Sequence, residues 1–229
     1  MLRAARTTAL LLMLLASGTP TAVAQGIATD DPRSVRIIDG DSLQIDGRVI
    51  ALAGIDAPEI GQRCEYDNIA WTCGLDSAHD LRKHVILGRG PLRCRVRSLR
   101  ADGSREAVCT LGELDLAVIQ LESGMAVATE DAPRGYRSVE TQAREAGLGI
   151  WHSRFDPPAA WREAVRERPQ KDPGCMLRAR READGRRLYY TLFDAAFEEV
   201  RADPRSIVYC SDDNARADGY RRPGEDAGE

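Results

Sequence analysis

Two short stretches, Ile38-Asp39-Gly40-Asp41-Ser42 and Ala53-Gly54-Ile55-Asp56-Ala57-Pro58-Glu59, decide how this chain is read. Between them Leu43, Gln44 and Ile45 continue an alternating run, and Asp46-Gly47 is a hairpin signal. Val49 to Ala53 then runs back as the next strand. Pro58 biases Ala57 away from helix, so Gly54 to Pro58 reads as a loop. Either stretch alone is an ordinary turn or a solvated loop. Together they put the carboxylates of Asp41, Asp56 and Glu59 at the ends of two hairpin-linked strands, and such ends lie close in space. Clustered acids repel one another unless a cation or basic groups compensate. Hard cations in turn are bound by clustered oxygen donors.

Working outward, Ser34 to Ile38 is strand-like and enters the first stretch. A helix is expected from about Leu75 to Leu87, with Gly88 as its C-cap. Leu92, Cys94 and Val96 alternate with Arg93, Arg95 and Arg97, so a strand over 92–99 has one apolar and one basic face. Asp102-Gly103 turns the chain into a strand over 105–111. Helices follow at 115–122 and 137–146, closed by Gly124 and Gly147. The order is three strands, a helix, two strands, then helices. The fold class expected is mainly β with α: a five-stranded OB-type barrel with packing helices and a small disulfide-closed C-terminal domain.

The two stretches resemble the motif of the thermonuclease (staphylococcal nuclease-like) family, in which Asp-Gly-Asp-Thr is followed by Arg-Leu-x-Gly-Ile-Asp-Ala-Pro-Glu. The resemblance extends through Cys73-Gly74, Asp115-Leu116, Gly124-Met125-Ala126, Ala143-Arg144 and Gly149-Ile150-Trp151, covering residues 34–155. It implies hydrolysis of DNA or RNA phosphodiester bonds with Ca²⁺. Asp41 and Asp56 would hold the metal by carboxylate and Ala57 by its carbonyl, while Glu59 would position or activate the attacking water. Two arginines normally clamp the phosphate, because a guanidinium fork matches a phosphoryl group and offsets its developing charge.

Both clamp positions depart from that pattern. The first arginine belongs five residues before Asp56, where Ala51 stands, and Arg48 points to the opposite face of its strand. The second belongs at the tip of the 92–111 hairpin, where Arg105 is the candidate. Cys94 and Cys109 can face each other across that ladder, and by parity Arg105 shares the face of Cys109. A bulge or the barrel mouth would have to redirect it. The expected function is therefore an exported nuclease-like phosphodiesterase weakened by the loss of one arginine. The alternative is a catalytically reduced module that binds an anionic polymer, nucleic acid or exopolysaccharide, in the cell envelope.

The remaining features bound these readings. Arg3 and Arg6 precede an apolar run and the small residues Ala22-Val23-Ala24, so residues 1–24 read as a signal peptide. Export places the protein in the periplasm or outside the cell, with no later membrane span. Without Arg3 and Arg6 the chain holds 30 basic and 36 acidic residues, a formal charge of −6. That balance does not favour strong DNA binding, which draws on phosphate neutralisation. The basic strip of Arg93, Arg95, Arg97 and Arg100 is most simply a solvated strand face, and the partner class is nucleic acid bound without sequence preference, or another anionic polymer, by a monomer. His79, His84 and His152 read as surface or helix residues. Six cysteines in an exported chain point to disulfides, and of 15 possible pairings proximity favours Cys64–Cys73, Cys94–Cys109 and Cys175–Cys210.

Residues 156–174 read as a linker and 175–222 as a small unit, with a hairpin at Asp184-Gly185 and a short helix from Ser211 closed by Gly219. Cys175-Met176-Leu177, Gly185 to Tyr190, Val208-Tyr209-Cys210 and Gly219-Tyr220-Arg221 resemble the small domain that follows nuclease-like barrels in some exported bacterial proteins, succinoglycan-biosynthesis-type proteins among them. Residues 223–229 read as a disordered tail.

Overall fold

The computed structural model describes residues 26–166 and 174–225; the signal-peptide reading falls outside them, as do 167–173 and 226–229. The first half holds strands β1 Gly26–Thr29, β2 Arg36–Ile37, β3 Ser42–Ile45, β4 Arg48–Leu52, β5 Ile55–Asp56, β6 Cys64–Tyr66 and β7 Ile69–Trp71, then helix α1 Cys73–Leu87. Next come β8 Leu92–Leu99, β9 Arg105–Leu111, β10 Leu114–Asp115, α2 Leu116–Glu122, β11 Val127–Ala128, α3 Tyr136–Glu145 and α4 Pro158–Arg166. The C-terminal unit holds β12 Leu177–Arg181, β13 Arg187–Tyr190, α5 Phe197–Ala202, β14 Ile207–Tyr209 and α6 Asp212–Ala217.

The main sheet has seven strands in the order β1-β8-β9-β4-β3-β2, with β10 added beside β9. Its β4–β9 pair is parallel, with Ile50 opposite Arg105 and Ala51 opposite Glu106. The sheet curls into a half-barrel. Its two additions to the expected strand set are the N-terminal edge strand β1 on β8 and the short β10. Alternation explains the curl's contents. Leu92 and Cys94 on β8, and Ala107, Cys109 and Leu111 on β9, are buried while the residues between them are not. They join Leu43, Ile45, Ile50 and Leu52 in one core, which α1 completes with Ala78, Leu81 and Val85 and α2 with Leu116 and Leu121. The Cys94–Cys109 pair lies directly opposed on the β8–β9 ladder.

The cysteine-bounded loop is itself a hairpin, β6–β7, whose turn residues Asp67 and Asn68 both have positive φ, as a type I′ connection requires. Cys64–Cys73 and Cys175–Cys210 complete three disulfides in the expected pairing. No helix among the described residues is long and apolar enough to cross a membrane.

Two expectations need correcting. The stretch expected as linker contains α4, whose Trp161 and Val165, one helical turn apart, pack on the Cys175–Cys210 disulfide. The expected tail is pinned at its start. Pro223 accepts a hydrogen bond from Gln44 (3.2 Å), and Glu225 pairs with Arg216 (2.8 Å).

Nor does the C-terminal unit hang free. Ile60, immediately after Glu59, is buried in that unit's core with Leu177, Ala179, Tyr189, Ala215 and Tyr220. Arg216 on α6, almost fully buried, pairs with Asp102 at the β8–β9 hairpin tip. The unit therefore packs on the acid-bearing end of the half-barrel.

Candidate functional site

The Asp39-Gly40-Asp41 turn and the Asp56–Glu59 loop meet because nothing lies between them but glycine. A Cβ on Gly40 would fall 1.9 Å from Ser77 Oγ and 2.8 Å from Ala57 Cβ. Gln120, buried on α2, fixes the turn from below by donating to the Gly40 carbonyl at 2.5 Å. The Asp41 carboxylate then ties the two segments together. Its Oδ2 accepts from the Ala57 backbone N–H at 2.6 Å and its Oδ1 from Ser42 Oγ at 2.9 Å. Asp39 Oδ1 accepts from the Asp41 backbone N–H at 3.0 Å. On the far side, Gly74 opens α1 directly against the Glu59 carbonyl, where a Cβ would approach to 1.6 Å.

Three further charged groups reach this end from residues far along the chain. Arg162 on α4 donates to Asp56 through both Nη atoms, at 2.7 and 3.1 Å, and to Glu59 Oε1 at 2.7 Å. Its Nε lies 3.3 Å from Asp213. Asp212 and Asp213 open α6 behind the Ser211 N-cap. Asp39, Glu59 and Asp212 each present a carboxylate oxygen within 4.8 Å of the others.

The cluster encloses a cavity of about 120 Å³ lined by Asp39, Asp41, Asp56, Glu59, Arg100, Thr129, Arg162, Asp212 and Asp213. At ~30 Å³ per water molecule it holds about four waters, or one phosphoryl group, whereas a drug-sized ligand takes roughly 300 Å³ or more. Larger clefts exist elsewhere. One of about 310 Å³ lies between α4 and α6, and another of about 630 Å³ is lined by Arg48, Arg97 and Arg105. Neither gathers acids, so the chemistry belongs to the smaller cavity.

Electrostatics follow from the crowding. Burial, then repulsion from Asp41, Asp212 and Glu59, raises the Asp39 carboxyl well above the usual carboxylate range. Burial raises Glu59 in the same way, with Asp212 and Asp213 adding to it and Arg162 opposing. Asp41 is raised by burial and by Asp56, against the Ala57 N–H. Asp212 is pushed up to about 7 by burial and then by Asp213, with Arg216 pulling the other way. Burial disfavours the Arg162 guanidinium, but Asp56 and Glu59 outweigh it and raise its pKa further. Six carboxylates thus face Arg162 and Arg100, an excess of negative charge that suits a hard cation with oxygen ligands.

Of the residues singled out from sequence, Asp41, Asp56, Ala57 and Glu59 lie together. Arg105 does not join them. The register shift of the hairpin falls on β8 between Val96 and Ser98, leaving β9 regular, so Arg105 keeps the parity of Ala107 and Cys109 and opens into the cleft with Arg48 and Arg97. Arg100, at the hairpin tip, is the residue of that strip that reaches the acidic cavity. Ala51 is buried between Ser42 and Glu106 of the neighbouring strands. His79 lies against Phe193, His84 near Asp80, and His152 stacks on Trp71, all away from the cavity.

Arg162, Asp212 and Asp213 are not foreseen by the motif. The signal for Arg162 was present but faint: Pro158 in a helix-opening position, then Trp161 and Val165 at i, i+4.

No family model matches the chain. The succinoglycan biosynthesis protein ExoI of Rhizobium meliloti (strain 1021) is 31% identical to it over 142 residues, which cover 61% of this chain and 72% of that protein.

Proposed function

Since the chain belongs to the family of the succinoglycan biosynthesis protein ExoI, we propose that it is an exported, nuclease-like member that hydrolyses phosphodiester bonds of nucleic acid with Ca²⁺ at the acid-bearing end of an OB-type half-barrel. The observation that carries this reading is Arg162. It brings a guanidinium to Asp56 and Glu59, in the cluster whose expected strand arginine is replaced by Ala51. Three disulfides suit an oxidising compartment outside the cytoplasm.

The donor set fits a hard cation: every side-chain ligand is an oxygen, and negative charge is in excess. Asp41, Asp56 and the Ala57 carbonyl would hold the ion, which when bound offsets phosphate charge. Ser42 and the Ala57 N–H keep the Asp41 carboxylate aimed into the cavity. Glu59, kept readily protonated by burial, is placed to take a proton from an attacking water when ionised. Arg162 would turn from Asp56 to a phosphoryl oxygen, for which its fork geometry is suited. Arg100, exposed at the rim, would meet the substrate's flanking phosphate. The small cavity admits a phosphoryl group alone, so the rest of the polymer would lie across the rim.

The cleft of Arg48, Arg97 and Arg105 favours a second reading, a module that holds an anionic polymer without cutting it. A digestion assay on the oxidised mature protein separates the two. Ca²⁺-dependent cleavage of DNA or RNA should fall on the order of 100-fold in Asp41→Ala and in Arg162→Ala, and rise in Ala51→Arg. Cleavage that survives Asp41→Ala, or no cleavage by the wild type, would overturn the hydrolytic reading.

A further inference from the structure

We propose that Asp39, Glu59 and Asp212 form a site for a hard divalent cation, so that the C-terminal unit supplies a metal ligand and cation binding fastens it over the end of the half-barrel. This site differs from the Asp41–Asp56–Ala57 set and does not require that the protein cut phosphodiesters.

Spacing comes first. The three oxygens lie within 4.8 Å of one another, close enough for one hard divalent cation to bridge all three.

The second observation is an orphaned atom. Glu59 is 4% exposed, and its Oε2 is buried with no hydrogen-bond partner. Arg162 occupies the other oxygen, Oε1. A buried carboxylate oxygen without a donor or cation carries a large desolvation cost. Asp39 and Asp212 are buried beside it, 5% and 7% exposed.

Of the arginines around the three acids, Arg100 is exposed at the rim, and two others are held mainly by other acids. Arg162 is held by Asp56, Glu59 Oε1 and Asp213. Arg216, one turn along α6 from Asp212, turns to Asp102 and Glu225. Removing an uncompensated buried charge from such a place is favourable, and keeping it requires a partner. A cation bridging the three acids is that partner. Because Asp212 lies more than 150 residues after Glu59, the bridge also joins two separately built parts of the chain.

The test uses the oxidised mature protein stripped with chelator. Titration calorimetry with CaCl₂, repeated with MgCl₂, should show saturable cation binding, and Asp212→Asn should weaken one Ca²⁺-binding step at least tenfold. Hydrogen exchange on the wild type should slow on Ca²⁺ addition both in α6 and around Asp39. Unchanged exchange in α6, or an Asp212→Asn variant with wild-type affinity and stoichiometry, would overturn the site. Ca²⁺ binding lost in Asp41→Asn but intact in Asp212→Asn would also overturn it, leaving the hydrolytic reading standing. Failure of nucleic-acid cleavage with Asp212-dependent binding intact would sink that reading alone.

Discussion

Arg162 and Asp56 meet at two points, Nη1 on Oδ1 at 2.7 Å and Nη2 on Oδ2 at 3.1 Å, although 106 residues separate them. The pair is mostly buried on both sides, so its loss is not that of a surface ion pair. Arg162→Ala leaves Asp56, Glu59 and Asp213 facing one another without their shared cation. Breaking a fully buried pair costs roughly 3–5 kcal/mol; the residual exposure here reduces that to about 2–4 kcal/mol. For a chain of this size, ~1 kcal/mol moves Tm by roughly 2–4 °C. Calorimetry should therefore show a drop of about 4–16 °C. Arg162→Lys should recover less than half of it, since an ammonium cannot make the two-point contact.

Crowded acids also set a pH dependence. The Asp212 carboxyl, normally near 3.8, is pushed up to about 7 in the folded protein, and Asp39 and Glu59 are raised as well. Between those values the folded chain binds more protons than the unfolded chain. The contribution is thus fully present below about pH 4 and is lost as pH rises through 7. In chelator, stability should fall between pH 5 and 8 by on the order of 2 kcal/mol, with Tm falling in step. Asp212→Asn should flatten that slope and raise Tm at pH 8. A slope unchanged in the variant would show that Asp212 is not its source.

Much of this end was legible in the sequence for a local reason. Asp39, Asp41, Asp56 and Glu59 sit on turns joined by one short hairpin, so spacing alone brings them together. Strand alternation likewise placed Cys94 opposite Cys109 and put the arginines of β8 on the outer face. Arg162, Asp212 and Asp213 escape such reasoning because tertiary packing delivers them from a distance. Their own segments look bland: a proline-flanked stretch with the composition of a linker, and a short acidic helix start. Arg105 shows the opposite limit. Parity predicted the face it shares with Cys109, but which end of the barrel it opens onto depends on where the hairpin's irregularity falls, and that is on β8.

The Cys175–Cys210 bridge closes a loop spanning 35 positions and backs Trp161 and Val165 of the helix that carries Arg162. In the chain-entropy account a loop of that length contributes roughly 3–4 kcal/mol. The Cys175→Ala/Cys210→Ala double variant should lose about that much by denaturant unfolding. It should also lower any Arg162-dependent activity more than the Cys64→Ala/Cys73→Ala variant does. Equal effects of the two bridges on activity would indicate that α4 is held without the C-terminal disulfide.

Gly40, where the two acid-bearing turns touch, gives the sharpest structural test. A methyl group there would meet Ser77 Oγ at 1.9 Å and Ala57 Cβ at 2.8 Å. Both are tied down by hydrogen bonds: Ser77 Oγ donates to the Met125 carbonyl at 2.8 Å, and Ala57 N–H holds Asp41 at 2.6 Å. Gly40→Ala must therefore push the Asp39–Asp41 turn away from the Asp56 loop, a clash of the kind that costs about 1–3 kcal/mol or more. The displacement lengthens the Ala57–Asp41 hydrogen bond and spreads the carboxylates. Affinity for Ca²⁺ should drop with stability, but by more than a stability loss alone produces. Adding Ser77→Gly removes the nearer obstacle and leaves the Ala57 methyl in place. The double variant should thus regain part of the lost Tm while cation binding remains impaired. Wild-type Ca²⁺ affinity in Gly40→Ala would show that the two acid-bearing turns need not touch for the cluster to bind a cation.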